Sequence, residues 1–249
     1  MKKRDFHIHS TFSDGRCTPE ELCLYAIDRG MTHIGFSDHS YTDFDTEYCM
    51  SPERYDEYRA EIRRLSKKYE GRIKIYCGIE QDYYSSIPAE GFDYVIGSVH
   101  YVKAGEIYLP VDKSAADLRR ATDEYFSGDP LLFAEEYYKT VADVVNVTGA
   151  DIIGHFDLCT KFCEKDPLID DSDPRYIAAW KAAADRLIPL GKYFEINTGA
   201  ISRGYKSAPY PASPIIDYIK ERGGRFILSS DSHRLTVGAY FEEIAQKLT

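Results

Sequence analysis

Residues 73–80 read IKIYCGIE and residues 94–100 read YVIGSVH. Each is a short run rich in Ile, Val and Tyr that ends in a side chain able to bind metal, Glu80 in the first and His100 in the second. The same design recurs along the chain. HIGFSDH (33–39) ends in Asp38 and His39, DIIGH (151–155) in His155, and RFILSSDSH (225–233) in Asp231 and His233. DFHIHS (5–10) carries His7 and His9. Six of the seven histidines therefore stand at or just past the C-terminal end of a β-type run. In a parallel barrel those ends converge on one face, where metal and substrate chemistry is built.

Strands are expected near 5–9, 33–37, 73–80, 94–99, 151–154, 193–197 and 225–229. Most read as continuous apolar runs, as strands covered on both faces do. Helical stretches separate them. Thr18-Pro19-Glu20-Glu21 offers an N-cap, a proline in the first turn and a capping-box glutamate, with Gly30 as the stop. Ser51-Pro52-Glu53 opens a charged helix ended by Gly71, and Ser213-Pro214 opens one ended by Gly223-Gly224. Further helices are expected near 114–127, 130–148, 173–190 and 235–248. Seven strands alternating with helices imply a single α/β domain over 1–249, a distorted (β/α)7 barrel of parallel strands with outer helices. An open doubly wound sheet is the alternative, with its ligands in a crevice rather than a ring.

The chain has 249 residues, 43% of them hydrophobic, enough for one sizeable core. Its net charge of −10 argues against nucleic acid or an anionic membrane surface as partner. Bound metal ions can still reverse the local field for an anionic substrate. No run approaches the roughly 20 apolar residues of a membrane span. The charged Met1–Asp5 start passes straight into strand-like FHIHS, so a cytoplasmic location is expected. The six cysteines form no CxxC pair, which fits reduced thiols. Cys159 and Cys163, four apart after His155, could serve zinc, but such a spacing on a helical turn is more often incidental.

His7 and His9, two apart on a strand, point to one face and can chelate one ion. That pair alone is a weak motif; its place on the first strand, before a polar loop, strengthens it. Asp14 lies in that loop within Ser-Asp-Gly, a turn sequence in its own right. Glu80 ends a strongly apolar strand, where a carboxylate is costly to bury unless it is paired or metal-bound. A carboxylate can bridge two ions, which makes Glu80 the candidate bridge; a salt bridge to Arg or Lys is the plain alternative. His155 has Asp157 as a prospective hydrogen-bond partner, since metal-bound His usually donates its other N–H to a carboxylate or carbonyl. Asp38 could orient a neighbour of His39, and Asn197, after strand-borne Glu195, could support a ligand. His33 starts its strand and is expected at the opposite end of the barrel. A nitrogen and oxygen donor set favours zinc, manganese or iron. Clustered ions of that kind suit hydrolysis. The sequence has no P-loop, no nucleotide GxGxxG and no G-x-S-x-G elbow.

The order HxH, Ser-Asp-Gly, SDH, Glu, His, His and a final DxH spans nearly the whole chain and resembles the PHP (polymerase and histidinol phosphatase) superfamily. The resemblance implies a distorted seven-stranded (β/α) barrel carrying two or three divalent ions. One ion is expected on His7, His9, Glu80 and Asp231, a second on Glu80, His100 and His155, and a third on Asp14, His39 and His233. Other members place His in the Asp14 loop, and some polymerase-type relatives have Cys where this chain has His155. The phrases GSVHYV, GHFDL, EINTGAISRG and RFILSSDSH are similar to the branch that hydrolyses L-histidinol phosphate to L-histidinol and phosphate in histidine biosynthesis. On that expectation hydroxide bridging the first two ions attacks phosphorus in line, and Glu80, Asp231 and His233 are the catalytic set. The leaving alkoxide is stabilised by the third ion or protonated by Asp231 or His233. Arg203 and Lys161 are candidate phosphate ligands, and His39, Ser98 and Tyr101 are candidates to line the pocket. Related enzymes place an arginine at the Arg203 position, and often at that of Lys161. A PHP-type phosphatase for another small phosphoester, a nucleotide or phosphotyrosine is the alternative. A nuclease and a non-catalytic metal-binding protein are more remote readings.

Overall fold

The computed structural model describes residues 3–247. Nine strands and nine α-helices are present among them. The strands are β1 (Arg4–Asp5), β2 (His33–Phe36), β3 (Lys74–Asp82), β4 (Tyr94–Ser98), β5 (Tyr101–Ala104), β6 (Ile107–Pro110), β7 (Ile152–Ile153), β8 (Tyr193–Asn197) and β9 (Arg225–Ser229). The helices are α1 (Pro19–Asp28), α2 (Tyr55–Lys68), α3 (Ala115–Tyr125), α4 (Pro130–Val141), α5 (Val144–Thr148), α6 (Pro174–Leu187), α7 (Gly199–Ser202), α8 (Ser213–Glu221) and α9 (Phe241–Lys247).

Seven strands form one parallel sheet in the order β1-β2-β3-β4-β7-β8-β9. The expected distorted (β/α)7 barrel is therefore present. The seam between β1 and β9 closes only at its upper end. There Ile8 and Ser232 form a parallel bridge, His9 N–H donates to Ser232 O (2.8 Å) and Ser232 N–H to His7 O (3.1 Å). On its other side the same segment accepts from Ser37 N–H through Ile8 O (2.9 Å). The strand expected over 5–9 is thus shorter as a ladder, because residues 7–9 serve as the clasp between two neighbours. Three apolar clusters pack the helices onto the sheet, one around Ile34, Leu65 and Ile79, one around Phe133, Phe156 and Leu187, and a small one of Ile196, Ile216 and Ile244.

Local sequence chemistry sets the helix starts. Thr18 and Glu21 form the expected reciprocal capping box, and Asp129 and Asp173 cap α4 and α6 with their carboxylates. Three expectations need correction. The helix expected over 130–148 breaks at 142–143, so that Val144 and Thr148 of α5 close over Gly97 of β4. The helix expected over 235–248 begins only at Phe241, because Gly238 takes a left-handed φ of 69° and donates its N–H to buried Asp5 (2.9 Å); residue 248 lies outside the described residues. The β5–β6 hairpin was not expected at all. Residues 101–110 alternate weakly and carry no strong turn pair beyond Ala104-Gly105.

Below the ligand-bearing ends, Tyr94 fills the barrel. Its hydroxyl donates to Phe6 O (2.6 Å) and Phe36 O (3.0 Å), and its ring lies over Gly35 and Gly78. A Cβ at Gly78 would meet the Tyr94 ring at 2.2 Å, and the two hydrogen bonds hold that ring in place. Gly78→Ala is therefore expected to cost about 1–3 kcal/mol through overpacking. Urea unfolding would read this as a lower midpoint at unchanged slope; an unchanged midpoint would show that the ring can move aside.

Candidate metal centre

The C-terminal ends of the barrel strands carry the polar groups. Alternate residues of β3, Glu80 and Asp82, share one face with Ser98 of β4, and Glu195 and Asn197 do the same on β8. His7, His9, Glu80, Asp82, Ser98, His155, Glu195 and Asn197 are each no more than 5% exposed. So many polar side chains can be buried together only if each finds a partner.

Glu80 is at the centre. Its Oε2 lies 3.3 Å from His7 Nε2, 3.5 Å from His9 Nε2 and 2.8 Å from His39 Nδ1. Its Oε1 lies 3.0 Å from His155 Nε2 and 3.5 Å from His100 Nε2, and accepts from Ser98 Oγ (2.7 Å). One carboxylate thus faces two sets of imidazoles, one through each oxygen. Asp231 Oδ1 completes the first set, 3.3 Å from His9 Nε2 and 3.8 Å from His7 Nε2. Asp14 gathers a third set: Oδ1 lies 3.7 Å from His39 Nε2 and 3.9 Å from His9 Nδ1, and Oδ2 lies 3.2 Å from His233 Nε2. His9 therefore stands between the first and third sets, and His39 between Glu80 and Asp14, which spacing alone did not indicate.

The buried atoms without a hydrogen-bond partner fit a divalent cation. They include His7 Nε2, His9 Nδ1 and Nε2, and Glu80 Oε2. A buried polar atom left unpaired costs about 1–3 kcal/mol, so these four around Glu80 and His9 call for a ligand with positive charge. Three groups of residues place single donor atoms within 4.8 Å of one another: His9, Asp14, His39 and His233; His7, His9 and Glu80; and His39, Glu80 and His100. The donors are imidazole nitrogens and carboxylate oxygens, a set suited to zinc, manganese or iron. No cysteine belongs to these groups among the described residues, and Cys159 instead lies buried in the apolar cluster with Tyr138 and Tyr176.

The charge distribution agrees. Burial pushes the Glu80 carboxyl upward, but His39, His7 and His100 hold it well below the usual range. Burial likewise opposes ionisation of Asp231, and the Arg203 guanidinium and His7 overcome it. Burial lowers His100, while Glu80 and Asp82 raise it to about 9. The site is a ring of mutually dependent charges, as a metal centre must be before metal neutralises it.

The ring is braced from outside. Asp38 accepts from the N–H and hydroxyl of Ser10 (both 2.8 Å) and of Ser13 (3.1 and 2.6 Å), and so staples down the loop that carries Asp14. Asp82 stands 3.0 Å from His100 Nδ1, a partner the sequence reading missed although its spacing from Glu80 places both on one face. Glu195 was also missed as an organiser. It stands 2.5 Å from His7 Nδ1 and accepts from His155 N–H (2.7 Å). A carboxylate inside the apolar run YFEIN is the same signal that singled out Glu80. Asn197 does support a ligand, donating to Glu195 (3.0 Å) and Asp231 (3.3 Å). Asp157 does not: its Oδ2 accepts from Ala212 N–H (2.9 Å), and His155 Nδ1 has no hydrogen-bond partner.

A cleft of about 300 Å³ opens onto the ring. Arg203, Lys161 and Tyr101 line it together with Asp14, His39, Glu80, His100, His155, Asp231 and His233. Arg203 donates to Asp231 Oδ2 (2.7 Å) and Asp231 O (2.9 Å). Lys161 donates to Asp112 O (2.9 Å) and Oδ2 (3.0 Å), so part of its charge is already matched. Tyr101 donates to Asp45 (2.9 Å) at the rim. Ser98 sits beneath Glu80 and serves it rather than the cleft. His33 lies at the start of β2, stacked on Tyr76 with centroids 6.2 Å apart and 2.9 Å from the Thr32 hydroxyl. His33→Ala is expected to leave kcat/KM and bound metal essentially unchanged, because the ring stands at the start of its strand, away from the ligand-bearing ends. Loss of bound metal in that variant would place His33 at the wrong end of the barrel.

The PHP domain profile matches residues 5–199. The chain is 30% identical to the histidinol-phosphatase of Lactococcus lactis subsp. lactis, over 94% of this chain and 85% of the relative. The crystal structure of histidinol phosphate phosphatase from that organism, complexed with zinc, L-histidinol and phosphate, superposes with a TM-score of 0.73 at 26% identity, covering 99% of this chain and 92% of its own. A crystal structure from Listeria monocytogenes shares the fold more closely, with a TM-score of 0.81 at 20% identity over 94% of this chain and 96% of its own.

Proposed function

Because the chain belongs to the PHP domain family, we propose that its metal centre hydrolyses L-histidinol phosphate to L-histidinol and phosphate. The observation that carries this reading is Glu80, held between two sets of imidazoles at the floor of a cleft that Arg203 edges. His7, His9, Glu80 and Asp231 would hold one ion, Glu80, His100 and His155 a second, and Asp14, His39 and His233, with His9 beside them, a third. Zinc, the ion in the Lactococcus lactis structure, suits these donors, as do manganese and iron. Such ions supply a nucleophilic hydroxide near neutral pH and Lewis-acid stabilisation of the phosphoryl oxygens.

The chain's own side chains do the rest. Asp231 fixes the Arg203 guanidinium, whose Nη1 also faces His233 Nδ1 (3.1 Å); the partnerless Nε–H and the second Nη2 hydrogen would hold two phosphoryl oxygens. Lys161 adds a second positive charge to the cleft lining, anchored by Asp112. Asp231 Oδ1 and His233 Nδ1 stand 3.5 Å apart beside Arg203; the leaving oxygen would be stabilised by the third ion or take up a proton that this pair passes on from water. The cleft also carries Asp45 and Glu47, opposite in sign to the ammonium group of histidinol phosphate. A lining that holds these two acids beside Arg203 and Lys161 fits a zwitterionic phosphomonoester better than an anionic nucleotide.

A panel of phosphomonoesters tests the substrate. The kcat/KM for L-histidinol phosphate should exceed those for a nucleoside monophosphate and for phosphotyrosine by about a hundredfold or more, the value of two bits of discriminating contact at 1.36 kcal/mol per tenfold. Equal values, or a preference for a nucleotide, would reject the assignment while leaving the metal centre in place.

A further inference from the structure

We propose that Glu195 is the positioning residue of this metal centre, fixing the tautomer of His7 and tying the first two metal positions together; this rests on the metal-phosphatase reading above. Glu195 is fully buried on β8 and touches neither the cleft nor the Glu80 carboxylate among its hydrogen bonds. Its two oxygens divide the work. Oε1 faces His7 Nδ1 at 2.5 Å and accepts from Ser229 Oγ. Oε2 accepts from His155 N–H at 2.7 Å and from Asn197 Nδ2 at 3.0 Å.

Two features set this carboxylate apart from a structural one. First, among the described residues no lysine or arginine is one of its hydrogen-bond partners; the donors are an imidazole, a hydroxyl and two amides. A fully buried carboxylate without a cationic partner is expensive. The positive charge that matches it must come through the His7 ring, whose other nitrogen, Nε2, is turned towards Glu80 and has no hydrogen-bond partner of its own. Second, the partners belong to different metal positions. His7 is in the first set and His155 in the second, and Asn197 extends the link to Asp231 Oδ2 at 3.3 Å. A proton held on Nδ1 by Glu195 leaves the Nε2 lone pair free and makes it a stronger donor. The contact to the His155 main chain means that the same carboxylate sets where the second position's imidazole begins.

The consequence is measurable as metal affinity. In Glu195→Gln the side chain keeps its size, but its amide can no longer accept from both sides, so either His7 or the His155 N–H loses its acceptor. Competition titration against a zinc chelator should show about 10–100-fold weaker zinc binding, the usual effect of removing the partner of a metal-bound histidine. The weakening should reach both of the first two ions, with circular dichroism like that of the wild type. A variant that binds its full complement of zinc with wild-type affinity would overturn the proposal. A second measurement needs no variant. In the zinc-loaded wild-type protein, two-bond proton–nitrogen correlation spectra should show His7 protonated at Nδ1 and coordinated through Nε2. Coordination through Nδ1 would overturn the proposal, whatever the variant does. Wild-type protein that binds zinc, and loses it in Glu195→Gln, but releases no phosphate from L-histidinol phosphate would sustain this role and reject the substrate.

Discussion

Glu80→Gln should yield a folded protein that has lost bound metal and nearly all turnover. Each Glu80 oxygen faces a different set of imidazoles, so the neutral amide removes the one charge the first two positions share. It also places an NH2 group against one of those sets. Metal ions of this kind contribute several kcal/mol to phosphoryl transfer, and each 1.36 kcal/mol is tenfold in rate, so kcat/KM should fall about 10³-fold or more. Metal analysis after exhaustive dialysis should show fewer ions per chain than in the wild type. The fold should survive, because Glu80 sits above the apolar layers and Ser98 can still donate to the amide oxygen. Wild-type metal content with wild-type turnover would rule out Glu80 as the shared ligand.

Arg203→Ala should separate phosphate binding from metal binding. Arg203 is the one arginine that lines the cleft among the described residues, and removing a donor aimed at developing charge costs about 10²–10³ in rate. The fall should appear in kcat/KM with metal content close to that of the wild type, because Asp231 keeps Asn197 as a hydrogen-bond donor and His7 and His9 as neighbours. Arg203→Lys should recover only part of the loss, since an ammonium cannot grip two phosphoryl oxygens at once. If both variants retained full activity, the phosphate would have to be held elsewhere, with Lys161 the next group to test. If both lost metal along with activity, Arg203 would act mainly by positioning Asp231.

The ligand-bearing strand ends were legible because they combine two signals in one short window. A run such as YVIGSVH declares a covered strand, and a histidine at its end has no reason to be there unless that end is a site. The order of such ends, read through a parallel barrel, puts His7, His9, Glu80, His100, His155, Asp231 and His233 on one face, and in the structure each has a ring nitrogen or carboxylate oxygen within 3.5 Å of another. Strands β8 and β9 fell on the residues expected for the same reason. What sequence reading missed depends on contacts between distant segments. The clasp of residues 7–9 shortens β1 because it pairs with Ser232, 224 positions away from Ile8. The late start of α9 follows from a hydrogen bond to Asp5, and the break between α4 and α5 from the space above Gly97. The supporting shell shows the same division. Asn197 was found because it follows a strand-borne acid. Asp157 is near His155 in sequence and so reads as a partner for its ring, but its carboxylate turns to Ala212 N–H, while Glu195 of the adjacent strand β8 accepts the His155 main-chain N–H.

The measurement that bears most directly on the whole account is phosphate release from L-histidinol phosphate by protein stripped with a chelator and reloaded with zinc or manganese. The account predicts no turnover in the stripped protein and a kcat/KM above about 10⁴ M⁻¹s⁻¹, in the range of working enzymes, once metal is restored. Turnover that is indifferent to metal would contradict the centre built on Glu80. Full metal loading with kcat/KM orders of magnitude below that range would contradict the substrate.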